Sequence, residues 1–111
     1  MKFLIPILTA ILYSNVIYSQ EKDIEIIQDL ILEQEHTIAD SLLKEKILNN
    51  KTVSSELTFL FGKNSYFLEK YEQSINWLNK YLELRGESGK FSDESIKFLE
   101  LSNSKNLIES N

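Results

Sequence analysis

Residues 55–86 read SELTFLFGKNSYFLEKYEQSINWLNKYLELRG. The stretch divides into two amphipathic helices joined by a tight turn. Ser54 or Ser55 can accept hydrogen bonds from the free N–H groups of a first turn, and Glu56 there suits the positive end of the helix dipole. From Leu57 to Leu68 the apolar residues Leu57, Phe59, Leu60, Phe61, Tyr66, Phe67 and Leu68 cover more than one stripe. A helix apolar over so wide an arc has to be covered on more than one side. In the second helix Tyr71, Ile75, Leu78 and Leu82 recur at i, i+4, i+7 and i+11 and make one face, which Ser74, Trp77, Tyr81 and Leu84 extend. Glu72, Asn76, Lys80 and Glu83 form the wet face. Arg85 suits a helix C-terminus, and Gly86 after it can take a left-handed conformation.

With Phe61-Gly62 in the first helix, Tyr66 after it, Tyr71 opening the second helix, Ser74 three places on and Leu82-Glu83-Leu84 at the end, this unit resembles a tetratricopeptide repeat. Gly62 and Ser74 make physical sense in such a unit, because missing side-chain volume lets two antiparallel helices approach. The sequence departs from the family pattern at Thr58, Ser65, Glu69, Tyr81 and Gly86, and the match covers under a third of the chain. The resemblance implies an all-α fold: antiparallel helix hairpins stacked in a short right-handed α-solenoid. It assigns Gly62, Tyr71, Ser74, Leu78 and Leu82 to packing within and between repeats. In that family the first helices of successive repeats line a concave groove. Carried over position by position, the groove residues here are Glu56, Phe59, Lys63, Tyr66 and Phe67, with the three aromatics offering an apolar surface to a partner helix or peptide and Lys63 free to meet an acidic group.

Working outward, residues 23–49 carry two further stripes, Ile24, Ile27, Leu30 and Ile31, then Ile38, Ala39, Leu42, Leu43 and Ile47. One long helix or two breaking near Glu35–Thr37 fits. Shifting the second helix of the central unit back by 35 residues lays Ser74 on Ala39, Leu78 on Leu43 and Leu82 on Ile47, so residues 20–50 read as a degenerate first repeat around the unit at 54–86. Ile27 then stands where the central unit has Gly62. Beyond a loop at 87–90, Ser92-Asp93-Glu94 starts another helix with Ile96, Phe98, Leu99 and Leu101 as its apolar face. It reads as a capping helix over 91–102, followed by a frayed tail at 103–111.

The first 19 residues, MKFLIPILTAILYSNVIYS, read as a secretory signal peptide. Lys2 precedes an apolar run that is short for a membrane span, which needs about 20 residues. Cleavage implies an exported chain, periplasmic or secreted, with no membrane span left, and the composition suggests a bacterial one. The alternative is an uncleaved anchor. Twelve basic against 17 acidic residues, a formal charge of −5, argue against nucleic-acid binding. The absence of cysteine excludes disulfides, thiolate metal sites and a cysteine nucleophile.

The chemistry in the sequence is thin. Gly86-Glu87-Ser88-Gly89-Lys90 has the wrong glycine spacing for a phosphate loop and follows a helix instead of a strand. His36, the one histidine, has Glu33 and Asp40 about one turn away, a weak basis for a metal site. Asn50-Lys51-Thr52 is a glycosylation sequon, relevant in a eukaryotic host. No nucleophile–base pair stands out, so no catalytic residue, metal or cofactor is expected. The reading is a non-enzymatic protein-interaction module that binds a peptide or helix of a partner protein. The alternatives are a structural subunit of an envelope-associated complex and a small-ligand or metal binder. A mature chain of about 90 residues buries only about 60–65% of its unfolded surface, which favours self-association or docking on a larger assembly.

Overall fold

The computed structural model describes residues 21–49 and 53–110. The signal-peptide reading of residues 1–19 and the sequon at 50–52 lie outside them. The protein is all-helical, and the described residues contain no strand. Helix α1 runs over residues 21–32, α2 over His36–Asn49, α3 over Ser55–Phe67, α4 over Tyr71–Arg85 and α5 over Ser92–Ser110, with a 3₁₀ turn at Gly86–Ser88 before α5. Helices α2 to α5 each pack against the next in sequence, α3 also touches α5, and α1 is tied to α2 by the Asp23–Lys46 ion pair at 3.2 Å. No described helix is long and apolar enough to cross a membrane.

The residues that start and stop these helices are local. Ser54 is the N-cap of α3: its backbone is extended and its Oγ accepts the Leu57 N–H at 3.2 Å. Arg85 closes α4, and Gly86 follows with φ +67° and ψ −158°, a region essentially reserved for glycine. The 3₁₀ turn and α5 are then fixed to α4 by two side chains. Tyr81 Oη accepts the Phe91 N–H at 2.8 Å, and Ser92 Oγ donates to the Gly86 carbonyl at 2.6 Å.

The segment 23–49 is two helices, broken at 33–35. In that turn the N–H groups of Glu33, Gln34 and Glu35 donate to the carbonyls of Asp29 (2.9 Å), Ile31 (3.1 Å) and Leu30 (2.8 Å). In the turn between α3 and α4 those of Leu68, Glu69 and Lys70 donate to Asn64 (3.1 Å), Tyr66 (3.0 Å) and Ser65 (2.9 Å). Every donor and acceptor is displaced by the same interval, 69 − 34 = 35. So is the one residue in each turn forced to positive φ, Gln34 at 64° and Glu69 at 62°. The core positions follow the same interval: Ala39 and Ser74, Leu43 and Leu78 are all fully buried. Two hairpins of the same turn geometry therefore succeed one another along the chain.

The hairpins differ at their centres. A Cβ on Gly62 would lie 2.8 Å from Leu78 Cδ2 and 3.1 Å from the Leu78 backbone nitrogen, so α3 and α4 meet at a distance no side chain permits. Ser74 Oγ donates to the Gly62 carbonyl at 2.7 Å across this contact. Tyr71 is buried at the start of α4, and Leu82 packs partly against the core. At the matching position of the first hairpin is a whole buried side chain, Ile27, which borders the α1–α2 junction beside Leu42.

Helix α3 is the centre of the fold, buried at residues 57–62, 64 and 65, as its wide apolar arc requires. Three expectations are corrected. Leu84 does not extend the buried face of α4; it is exposed beside Arg85 at the helix end. The closing helix does not stop at 102 but continues to Ser110, through the segment read as a frayed tail. Its inner face is not the expected apolar one either. Ile96 and Leu101 are exposed, whereas Ser92, Ser95 and Ser102 are fully buried beside Phe98. Small serines bring α5 close to α4, and Ser102 Oγ donates to Ser74 Oγ at 2.9 Å. A hydrogen-bonded line thus runs from α5 through Ser74 to the Gly62 carbonyl on α3.

Candidate functional site

An open cleft of about 240 Å³ lies where α1, α3 and the start of α5 meet. Ile31, Phe59, Leu60 and Phe91 supply its apolar surface, and Gln28, Asp29, Leu32, Lys63 and Glu94 its rim. Helical periodicity explains the set: Gln28, Ile31 and Leu32 share one face of α1, and Phe59, Leu60 and Lys63 one face of α3. Small-molecule sites typically occupy about 300–1,000 Å³. A cleft below that range and open to solvent suits one or two side chains of a partner better than an enclosed ligand.

The five groove residues expected from the sequence share one face of α3 by their spacing, but they do not line a single cleft. Phe59 and Lys63 line the cleft. Phe59 is only 1% exposed, with its ring stacked on Phe91 at 4.5 Å and tilted against Tyr81 at 5.7 Å. It forms the floor and does not offer an aromatic face to a partner. Lys63 is not free to meet an acidic group: its Nζ is paired with Glu94 at 3.1 Å and lies 5.8 Å and 5.6 Å from the ring centres of Phe59 and Phe98. It clamps α5 to α3. Glu56, half-buried, borders a separate cleft of about 280 Å³ with Ser55, Tyr81, Arg85 and Lys90. Tyr66 and Phe67 lie toward the other end of α3, both against Phe98, Tyr66 also against Tyr71.

Phe67 and His36 form an arrangement that sequence reasoning missed. The imidazole stacks on the Phe67 ring, centroids 4.8 Å apart and planes 11° from parallel. Asn64, fully buried, donates from Nδ2 to the His36 carbonyl at 2.8 Å, and its Oδ1 sits 2.9 Å from His36 Nδ1. With the amide so oriented, Oδ1 can only accept, so Nδ1 carries the proton. One asparagine thereby holds the first residue of α2 through both its backbone and its ring. Asn64 and His36 are 28 positions apart, which is why no local pattern announced the pair.

This arrangement also places the histidine considered for a metal. Nδ1 is committed to Asn64. Asp40, one turn along α2, points instead to Lys44 at 2.9 Å and Lys70 at 3.4 Å through Oδ2. Glu33 lies in the exposed α1–α2 turn. No group of three or more metal-ligating side chains occurs among the described residues. In the loop after α4, the N–H groups of Phe91 and Ser92 are taken by Tyr81 Oη and the Gly89 carbonyl.

Among the described residues, two groups titrate away from their ordinary range. Burial, reinforced by the negative charges of Glu69 and Glu109, lifts the Tyr71 hydroxyl upward. The hydrogen bond to Asp40 raises the Lys44 ammonium. Neither borders the cleft. Comparison with models of known protein families, with curated proteins and with solved structures finds no match for this chain.

Proposed function

We propose that this protein is an exported, non-enzymatic interaction module of tetratricopeptide type, which holds a short segment of a partner protein in the cleft between α1, α3 and α5. The observation that carries the proposal is the cleft itself. Its walls come from the first helix of each of two successive hairpins and from the helix that follows them, and its floor is apolar. In stacked helical hairpins that is the surface where a ligand segment docks. The 35-residue recurrence of turn bonds, positive-φ residues and buried core positions supports reading the hairpins as repeats. Helix α5, with a buried serine face and Asp93, Lys97, Glu100 and Ser104 toward solvent, suits the closing element such an array requires.

The test is selection from a phage library of random twelve-residue peptides on the immobilised full chain, with counter-selection on a Leu32→Glu variant. Leu32 is 79% exposed at the rim, so the substitution blocks the cleft without touching the core. Peptides retained by the wild type and rejected by Leu32→Glu are the expected result. Binders indifferent to Leu32→Glu but sensitive to Leu84→Glu, on the opposite hairpin end, would place the binding surface elsewhere.

A further inference from the structure

We infer that the segment held in the cleft presents an arginine next to an apolar residue, with the guanidinium lying over Leu32 and hydrogen-bonded to Asp29. The inference rests on the cleft being a binding site and adds the chemistry of its occupant. It starts from the interval of 35 residues between the hairpins. Asp29 stands where the second hairpin has Asn64, and Leu32 where it has Phe67. In the second hairpin this pair is occupied: Asn64 holds His36 by two polar contacts while Phe67 stacks on the imidazole. A flat, nitrogen-bearing side chain lies on an apolar one, with its N–H directed at the oxygen of the residue three positions earlier. In the first hairpin the corresponding pair borders the cleft and is open. Leu32 is exposed, and Asp29 is exposed and makes no ion pair among the described residues.

The change from amide to carboxylate determines what fits. Asn64 works because it both donates to a carbonyl and accepts from an N–H. Asp29, ionised, can only accept, at two oxygens, so a backbone carbonyl has no place beside it and a donor-only group does. Arginine is the side chain whose planar fork gives two donors to one carboxylate and whose flat face packs on a neighbouring group. The remaining rim charges point the same way. The cation of the cleft, Lys63, is already spent on Glu94, so nothing is left to receive an acidic segment. The apolar neighbour of the arginine reaches the floor of Ile31, Leu60 and Phe91.

The experiment uses the strongest peptide recovered from the twelve-residue library by its dependence on Leu32. It is synthesised with a fluorescent label in three forms: as selected, with each arginine replaced by citrulline, and with each arginine replaced by glutamate. Binding to the full chain and to Asp29→Asn is read by fluorescence anisotropy at two salt concentrations, with circular dichroism to show that the variant keeps its helices. The expected result is at least about tenfold tighter binding of the arginine form than of the citrulline form, weakening with salt, and loss of that difference in Asp29→Asn. Equal binding of the arginine and citrulline forms overturns the inference. So does a preference for arginine that survives Asp29→Asn, or a selected pool rich in Asp and Glu; in those cases the cleft still stands as a binding site. If no Leu32-dependent peptide is recovered, the binding site and its arginine preference fall together.

Discussion

The two hairpins share their turns and differ in the residue at their centres. In α1–α2 and α3–α4 the same three backbone bonds close the turn and one residue takes the same positive φ. Between α3 and α4 a glycine admits Leu78 to the backbone, while the matching position of α1 holds the buried Ile27. Turn geometry in this protein is therefore independent of which residue stands at the hairpin centre. The backbone bonds of the turn need no particular side chain, whereas the contact at the hairpin centre is set by the volume of one residue on each side. The comparison extends to the pair of one polar and one apolar residue, three positions apart, near the end of each first helix. In the second hairpin it binds within the chain, through Asn64 and Phe67; in the first, Asp29 and Leu32 are left facing a cleft.

If the centres differ as described, removing volume should destabilise the first hairpin and adding volume the second. Ile27→Ala leaves a cavity at a fully buried position and is expected to cost about 2–5 kcal/mol in denaturant unfolding. Gly62→Ala has the opposite chemistry and the same sign of effect: the added methyl meets Leu78 side-chain and backbone atoms and is expected to cost about 1–3 kcal/mol. A Gly62→Ala protein as stable as the wild type would mean that α3 and α4 are not in the close contact described. At the shared turns the expectation reverses. Gln34→Gly and Glu69→Gly relieve a left-handed backbone and should each stabilise by about 0.5–1 kcal/mol, alike in the two hairpins. A gain in one and a loss in the other would break the equivalence of the turns. For a domain of this size 1 kcal/mol corresponds to roughly 4–8 °C in Tm, so all of these are measurable by thermal melting.

The smallest effect is electrostatic. The Tyr71 hydroxyl and the Lys44 ammonium both have folded-state pKa values raised above their unfolded ones. The folded protein thus holds these protons more tightly than the unfolded chain, and the stability they contribute is present at neutral pH and lost as pH rises above about 10. Melting temperatures recorded from pH 8 to 11 should fall at the alkaline end, and Tyr71→Phe should make that fall shallower. Tyr71 sits at the start of the second hairpin's α4, where the first hairpin has His36, so the tyrosine part of this alkaline sensitivity belongs to the second hairpin and the Lys44 part, on α2, to the first.

The fold was legible where apolar periodicity carries it. The face of α4, the Ser54 cap, the glycine at 86 and the spacing of Gly62 and Ser74 are all local patterns, and each determines an observed contact. The 35-residue shift that laid Ser74 on Ala39 also relates the turn bonds on either side. What escaped was what hydropathy does not encode. The buried face of α5 is made of Ser92, Ser95 and Ser102, polar residues that are inside because they are small. Their spacing along one helix face was the available signal. The fate of Lys63 depended on Glu94, 31 positions away, and that of Phe59 on the course of a loop that brings Phe91 onto its ring. For that reason the residues at the cleft rim that remain accessible, Asp29 and Leu32, were not among those singled out from the sequence.

The most direct test of the account is a map of where a bound segment lies. Backbone amide shifts of the isotope-labelled full chain would be followed while the selected peptide is titrated in. The account predicts perturbations gathered at residues 28–32 of α1, 59–63 of α3 and 91–94 of α5, on one side of the molecule. Perturbations concentrated instead on the outer faces of α2 and α4, with those three segments unmoved, would contradict it.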